Sequence, residues 1–141
     1  MSLIYSIKTR QMSDLINQGV RLALNGTVAS AVTDGVIMAG ANERNIVVTG
    51  WSLSSKSSTD VLVSLGFKVA GQDTGNFLSC YVRSGSPIAQ IYQIGDERYG
   101  ASAACLVITT DGNDVAYTVD GRLLADKVGL GYIQNTAITR L

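Results

Sequence analysis

The chain has 141 residues and a mass of 14.9 kDa, with 11 Lys+Arg against 11 Asp+Glu and no histidine. With 46% apolar and 16% charged residues it is too apolar and too neutral for a disordered chain, and it lacks the cationic excess of a non-specific nucleic-acid binder. The missing histidine excludes a histidine-based catalytic triad and any histidine-held metal. The length is that of one ordinary domain, able to bury roughly 70% of its unfolded surface without staples.

In chain order, Leu3–Thr9 alternates Leu3, Tyr5 and Ile7, which reads as a strand or an extended arm. Ser13–Leu24 carries Leu15, Ile16, Val20 and Leu24 at roughly helical spacing, with Ser13 as an N-cap and Gly19 as a weak point. It reads as a short helix or irregular segment. The division expected is therefore an N-terminal arm or short helical segment over 1–24, packed on a β-sandwich domain over 25–141.

Asn45–Ser54 places Val47, Trp51 and Leu53 on one face, with Ile46 and Val48 on the other. The polar stretch Ser54–Thr59 then leads into Asp60–Val69, where Val61, Val63, Leu65, Phe67 and Val69 alternate cleanly. The two runs predict a hairpin. Further strands are expected at Asn76–Arg83, Ile88–Ile94, Ala104–Thr109 (a compact apolar run, hence central), Val115–Val119 and Tyr132–Thr139. Asn25-Gly26, Asp34-Gly35, Asp111-Gly112 and Asp120-Gly121 read as tight turns, because Asx-Gly pairs supply positive φ. Many short strands and frequent turns predict an all-β fold, an antiparallel β-sandwich of jelly-roll-like type.

The first residues show no basic segment leading into an apolar core, and no stretch reaches the ~20 apolar residues of a membrane helix. The expectation is a protein made in the cytoplasm, without membrane partners. Cys80 and Cys105 lie in apolar strand-like runs without metal-ligand spacing; buried free thiols are the first reading and a bond between the two is the alternative.

The search for chemistry yields weak candidates. Gly50-Trp51-Ser52-Leu53-Ser54 begins like a nucleophile elbow but lacks the final glycine and a histidine. Gly129-Leu130-Gly131 lacks the third glycine of a dinucleotide loop. Asp111-Gly112-Asn113-Asp114 opens like a calcium loop, yet Val115 and Ala116 follow where further ligands belong. Asp96 and Glu97 are adjacent, so their side chains diverge and cannot flank a scissile bond. The expectation is no enzyme, no cofactor and no metal. Trp51, Tyr81, Tyr92 and Tyr99 are the candidates for a glycan platform.

Asn45-Ile46-Val47-Val48-Thr49-Gly50-Trp51-Ser52-Leu53-Ser54-Ser55, followed by Ser57-Ser58-Thr59-Asp60-Val61-Leu62-Val63-Ser64-Leu65-Gly66, resembles small β-sandwich domains of tailed-bacteriophage virion proteins. The late apolar run Leu106–Val119 is similar as well. The resemblance implies a capsid decoration (cement) protein: a homotrimer on the capsid exterior that clamps the major capsid protein and touches no nucleic acid. It implies an arm that meets the shell through Leu3, Ile4, Tyr5, Ile7, Lys8, Arg10 and Arg21. Independently, Ile46, Val48, Ala89 and Ile91 are apolar on the face opposite the expected core, which marks them as candidate oligomer-interface residues. The rival expectation is a receptor- or glycan-binding head domain of a phage fibre or adhesin.

Overall fold

A computed structural model describes residues 20–125. Its strands are β1 (Val20–Val28), β2 (Val32–Met38), β3 (Arg44–Ser55), β4 (Val61–Lys68), β5 (Gly75–Val82), β6 (Ile88–Ile91), β7 (Arg98–Tyr99), β8 (Cys105–Thr110) and β9 (Val115–Ala125). Among the described residues there is no helix. The arm residues Leu3, Ile4, Tyr5, Ile7, Lys8 and Arg10, the candidate loop at Gly129 and the expected strand at Tyr132–Thr139 lie outside them.

Two antiparallel sheets face each other. One runs β1-β9-β3-β6, with β7 also paired to β3, and the other runs β2-β8-β4-β5. The pairings are nested along the chain: β1 with β9, β2 with β8, β3 with β6 and β7, and β4 with β5. Successive nested pairs alternate between the sheets, and the cross-pairings β3 with β9 and β4 with β8 complete each one. This is the jelly roll, a long hairpin rolled into a sandwich. Its inner faces contribute Trp51, Leu53, Val115 and Val119 from one sheet and Val61, Val63, Leu65, Leu106 and Ile108 from the other.

The alternation seen in β4 is preserved. Val61, Val63 and Leu65 are buried in the core while Leu62 and Ser64 face outward, Ser64 bonded to Ser79 at 2.7 Å. β5 directs Leu78, Cys80 and Val82 inward as expected. β8 lies between β2 and β4, which is why its sequence is a compact apolar run.

Four expectations change. β3 and β4 do not form a hairpin, since they belong to different sheets and Ser54–Thr59 arches between them. The helix expected to end at Leu24 gives way over residues 20–24 to strand β1, with Leu22 and Leu24 packed on the core. Val20 and Leu24 are four apart, a spacing that serves a helix stripe and an alternating strand equally. Of the Asx-Gly pairs, Asp111-Gly112 lies in the β8–β9 connection, which crosses between the sheets and takes its positive φ at Asp114, whereas the others lie inside β1, β2 and β9. At Gly26 a Cβ would lie 2.6 Å from the Tyr117 hydroxyl oxygen and 2.8 Å from its ring, and Asp34, at φ 52°, sits at a register shift in β2. Finally, Ile46 and Val48 lie in the core, 2% and 0% exposed, and so offer no outer surface for an oligomer.

The last correction has one cause. Between Val48 and Gly50 the register on β9 advances by a single residue, so Thr49 is an extra residue in a β-bulge. Before the bulge the even-numbered residues point inward. After it Trp51, Leu53 and Ser55 do. Val47 is thereby turned to the outer face, opposite Arg122 and Tyr99.

The thiols are free and sit on opposite faces of the β2-β8-β4-β5 sheet. Cys80 packs on the core, and burial raises its pKa. The Cys105 sulfur accepts from the Gly40 amide at 3.4 Å.

Candidate interaction surface

The bulge shapes the outer face of the β1-β9-β3-β6 sheet. In register across that face stand Ala23, Asp120, Gly50 and Ile91. The next row holds Asn25, Thr118, Ser52 and Ala89, with Ser52 and Thr118 hydrogen-bonded through their hydroxyls. These side chains are small and mostly uncharged. Gly50 contributes none, so a groove of about 480 Å³ opens above Thr49 and Gly50.

One wall of the groove is Arg21, Asp120 and Arg122 from β1 and β9. Arg21 and Arg122 are direct cross-strand partners. The opposite wall is Ile91, Ile94 and Glu97, from β6 and the loop after it. That loop is anchored at its start by Tyr92 and beyond β7 by the Gly100 amide, which donates to the Ile46 carbonyl at 2.8 Å. The Tyr92 amide donates to the Thr49 carbonyl at 2.9 Å, and the Tyr92 hydroxyl accepts from Trp51 Nε1 at 3.0 Å in the core. The turn itself is pinned by Gly95, at φ 98°, whose amide donates to Glu97 Oε2 at 2.8 Å. The Arg98 guanidinium lies 4.6 Å from the Tyr92 ring centre, a cation–π contact, and its Nη1 donates to the Asp96 carbonyl at 3.2 Å.

This ordered corner exposes apolar side chains. Ile91 is 86% and Ile94 94% exposed, and Tyr99, on β7 opposite Val47, is 43% exposed. Burial, and then the charge of Glu97, raise the Tyr99 pKa, so its hydroxyl stays protonated.

The sequence-predicted residues fall as follows. Ile91 and Ala89 are on the outer face, Ile91 at the groove wall. Arg21 is at the other wall. Ile46 and Val48 are beneath, in the core. Sequence reasoning missed Ile94 and Glu97, because Ile94 falls on the predicted core side of an Ile88–Ile94 strand that in fact ends at Ile91. The signal available was Gly95-Asp96, a turn pair directly after it.

The remaining candidates have structural employment. Asp111 Oδ1 accepts from the Leu62 amide at 2.8 Å and ties the β8–β9 turn to β4. Trp51 and Tyr92 are buried, while the exposed Tyr81 and Tyr99 are on different sheets, so the four aromatics form no common platform. Among the described residues no cluster of three or more His, Cys, Asp or Glu is placed to hold a metal.

No protein-family model and no curated protein matches the sequence. Solved structures similar to it include that of Bacillus endospore appendages, a novel family of disulfide-linked pili, at 13% identity and a TM-score of 0.44, over 76% of this chain and 86% of that one. The virus-like particle of the giant freshwater prawn Macrobrachium rosenbergii extra small virus is similar at 10% identity and a TM-score of 0.35, over 76% and 80% of the two chains. The Yersinia pseudotuberculosis-derived mitogen follows at 11% identity and 0.28, over 74% and 86%. At these values the likenesses assign the chain to no family.

Proposed function

We propose that this protein is a structural module that self-associates and reinforces an assembled shell, as a decoration protein on the outside of a tailed-phage capsid. The observation that carries the reading is the corner of Ile91 and Ile94, whose backbone is tied by hydrogen bonds at Tyr92 and Gly95 while both side chains are left open to solvent. Ordered apolar side chains exposed together are the usual mark of a surface that is covered in the working assembly. The jelly roll suits the role, because its sheets hold such a surface fixed before any partner arrives. Contact with the shell is assigned to Leu3, Ile4, Tyr5, Ile7, Lys8 and Arg10, from the resemblance to cement proteins, while Arg21, which the resemblance also implies, stands on β1 at the groove wall and is assigned to self-association.

The mechanism is linkage. A protein that binds only the assembled shell stabilises it by RT ln(1 + [L]/Kd), about 2.7 kcal/mol per site at a hundredfold excess over Kd. The test is the melting temperature of empty shells of the phage that carries this protein, with and without saturating amounts of it. A rise supports the assignment, and unchanged melting overturns it. The fibre-head reading has less support, because the exposed Tyr81 and Tyr99 are on different sheets.

A further inference from the structure

We infer that the groove above Thr49 and Gly50 is closed by the same surface of a second copy, across a twofold axis through its apolar centre. The inference rests on the reading of the chain as a self-associating module, and it identifies the surface that does so.

Three observations combine. First, Ile91 and Ile94 stand almost fully exposed beside a groove of about 480 Å³, so a protrusion and a hollow adjoin on one face. Second, the charges are separated across that hollow. Arg21 is on the β1 wall, and Glu97 is on the wall after β6. Arg98, next to Glu97, is turned onto the Tyr92 ring and bonded to the Asp96 carbonyl, so Glu97 is the charge this wall presents to the groove. Its carboxylate accepts one amide hydrogen bond and has capacity for more. Third, the row on one side of the groove, Asn25, Thr118, Ser52 and Ala89, carries only short side chains, so a second sheet face can approach closely there.

A twofold operation about the centre of such a patch exchanges its two walls. Arg21 of each copy then faces Glu97 of the other, and each Ile91–Ile94 corner closes over the other copy's groove. Each contact is made twice, which is how an isologous interface closes without leaving a free surface to propagate. Asp120 keeps the Arg21 wall from being uniformly cationic. That argues against an anionic polymer and for a partner that carries both signs, as this electrically neutral chain does. The symmetry inferred is therefore twofold, not the threefold order that the cement-protein resemblance implies.

The test is sedimentation velocity on the full chain over a range of concentrations. The wild type is expected to be a dimer. R21E and E97R are each expected to weaken it at least tenfold, since both symmetry-related pairs become repulsive, and the R21E/E97R double variant is expected to recover to within about threefold of wild type. I94D is expected to weaken the dimer at least a hundredfold. Ile94 is exposed, so its melting temperature should match that of the dissociated wild type. A wild type that is monomeric or trimeric throughout, an I94D protein that dimerises undiminished, or a double swap no better than the single ones would each overturn the inference. Shell melting is read separately. A non-dimeric protein that still raises it overturns the twofold surface alone, and a dimer that leaves it unchanged supports the surface and overturns the capsid assignment.

Discussion

Gly121→Ala should be among the most damaging single-methyl substitutions in the molecule. Gly121 pairs with Leu22 on one side and Val48 on the other, next to the bulge in β3. A Cβ there would lie 2.0 Å from the Val47 carbonyl oxygen and 3.1 Å from its carbon. Ordinary close carbon–oxygen contacts run about 3.3–3.6 Å, so the overlap exceeds about 1 Å. The obstacle is backbone in the middle of a sheet, and no rotamer change relieves it. β3 and β9 must separate locally. Overpacking typically costs about 1–3 kcal/mol, and each lost ladder hydrogen bond adds roughly 0.5–1.5. We expect a loss of about 3–4 kcal/mol, read as a drop in the urea midpoint at unchanged m, with a fall in Tm of roughly 12 °C. Gly75→Ala is the control. The nearest atom to its Cβ would be the Phe67 carbonyl oxygen at 3.9 Å, an ordinary contact. Replacing a strand glycine by alanine then stabilises by a few tenths of a kcal/mol to about 1. If Gly121→Ala stayed within about 1 kcal/mol of wild type, the register assigned to β3 and β9 would be wrong. Equal losses in the two variants would show a general intolerance of β-carbons and not a specific close approach.

Two further outcomes follow from the polar groups. Asp34 is held below the ordinary carboxylate pKa by hydrogen bonds from Thr74 at 2.7 Å and Lys68 at 3.0 Å, by the charge of Lys68 and by Thr109. A lowered folded-state pKa contributes stability that is complete above the unfolded value, near 4, and lost as pH falls through the folded one. Thermal melts from pH 6 down to pH 2 should therefore decline less steeply in Asp34→Asn, which keeps a residue tolerant of the positive φ at this position. A parallel decline would count against the Asp34 network. Tyr92→Phe removes the acceptor for Trp51 Nε1 and leaves a buried N–H unpaired, a loss of about 1–3 kcal/mol in urea unfolding. A neutral Tyr92→Phe would show that the Trp51 N–H finds another partner.

Much of the fold was legible because alternation is local. β4, β5 and the run that became β8 could be read from side-chain order alone, since a strand with one buried face repeats every two residues. The same rule misled in β3. A bulge inserts one residue and reverses the facing of everything before it, and nothing in Val47-Val48-Thr49-Gly50 marks the reversal, because both faces there are apolar. That one residue moved Ile46 and Val48 from a candidate interface into the core and brought Val47 to the groove.

The Asx-Gly pairs teach a related lesson. Sequence identifies glycine as permissive but not what it permits. None of the four pairs makes a hairpin: Asp111-Gly112 lies in the connection that crosses from β8 in one sheet to β9 in the other, while Gly26 and Gly121 make room for Tyr117 and for the Val47 carbonyl. The groove was the least legible feature, because its walls come from residues about 75 positions apart, Arg21 and Glu97, and only the nesting of strands brings them onto one sheet.

By itself the sequence determined the class of the fold, the absence of histidine chemistry and the inward residues of the regular strands, because composition and two-residue periodicity are properties of the chain alone. Which strands share a sheet, where the register slips and which apolar side chains remain outside were decided by tertiary structure. Each of those depends on what lies across the ladder or across the sandwich, and a strand's own sequence carries little record of its neighbours.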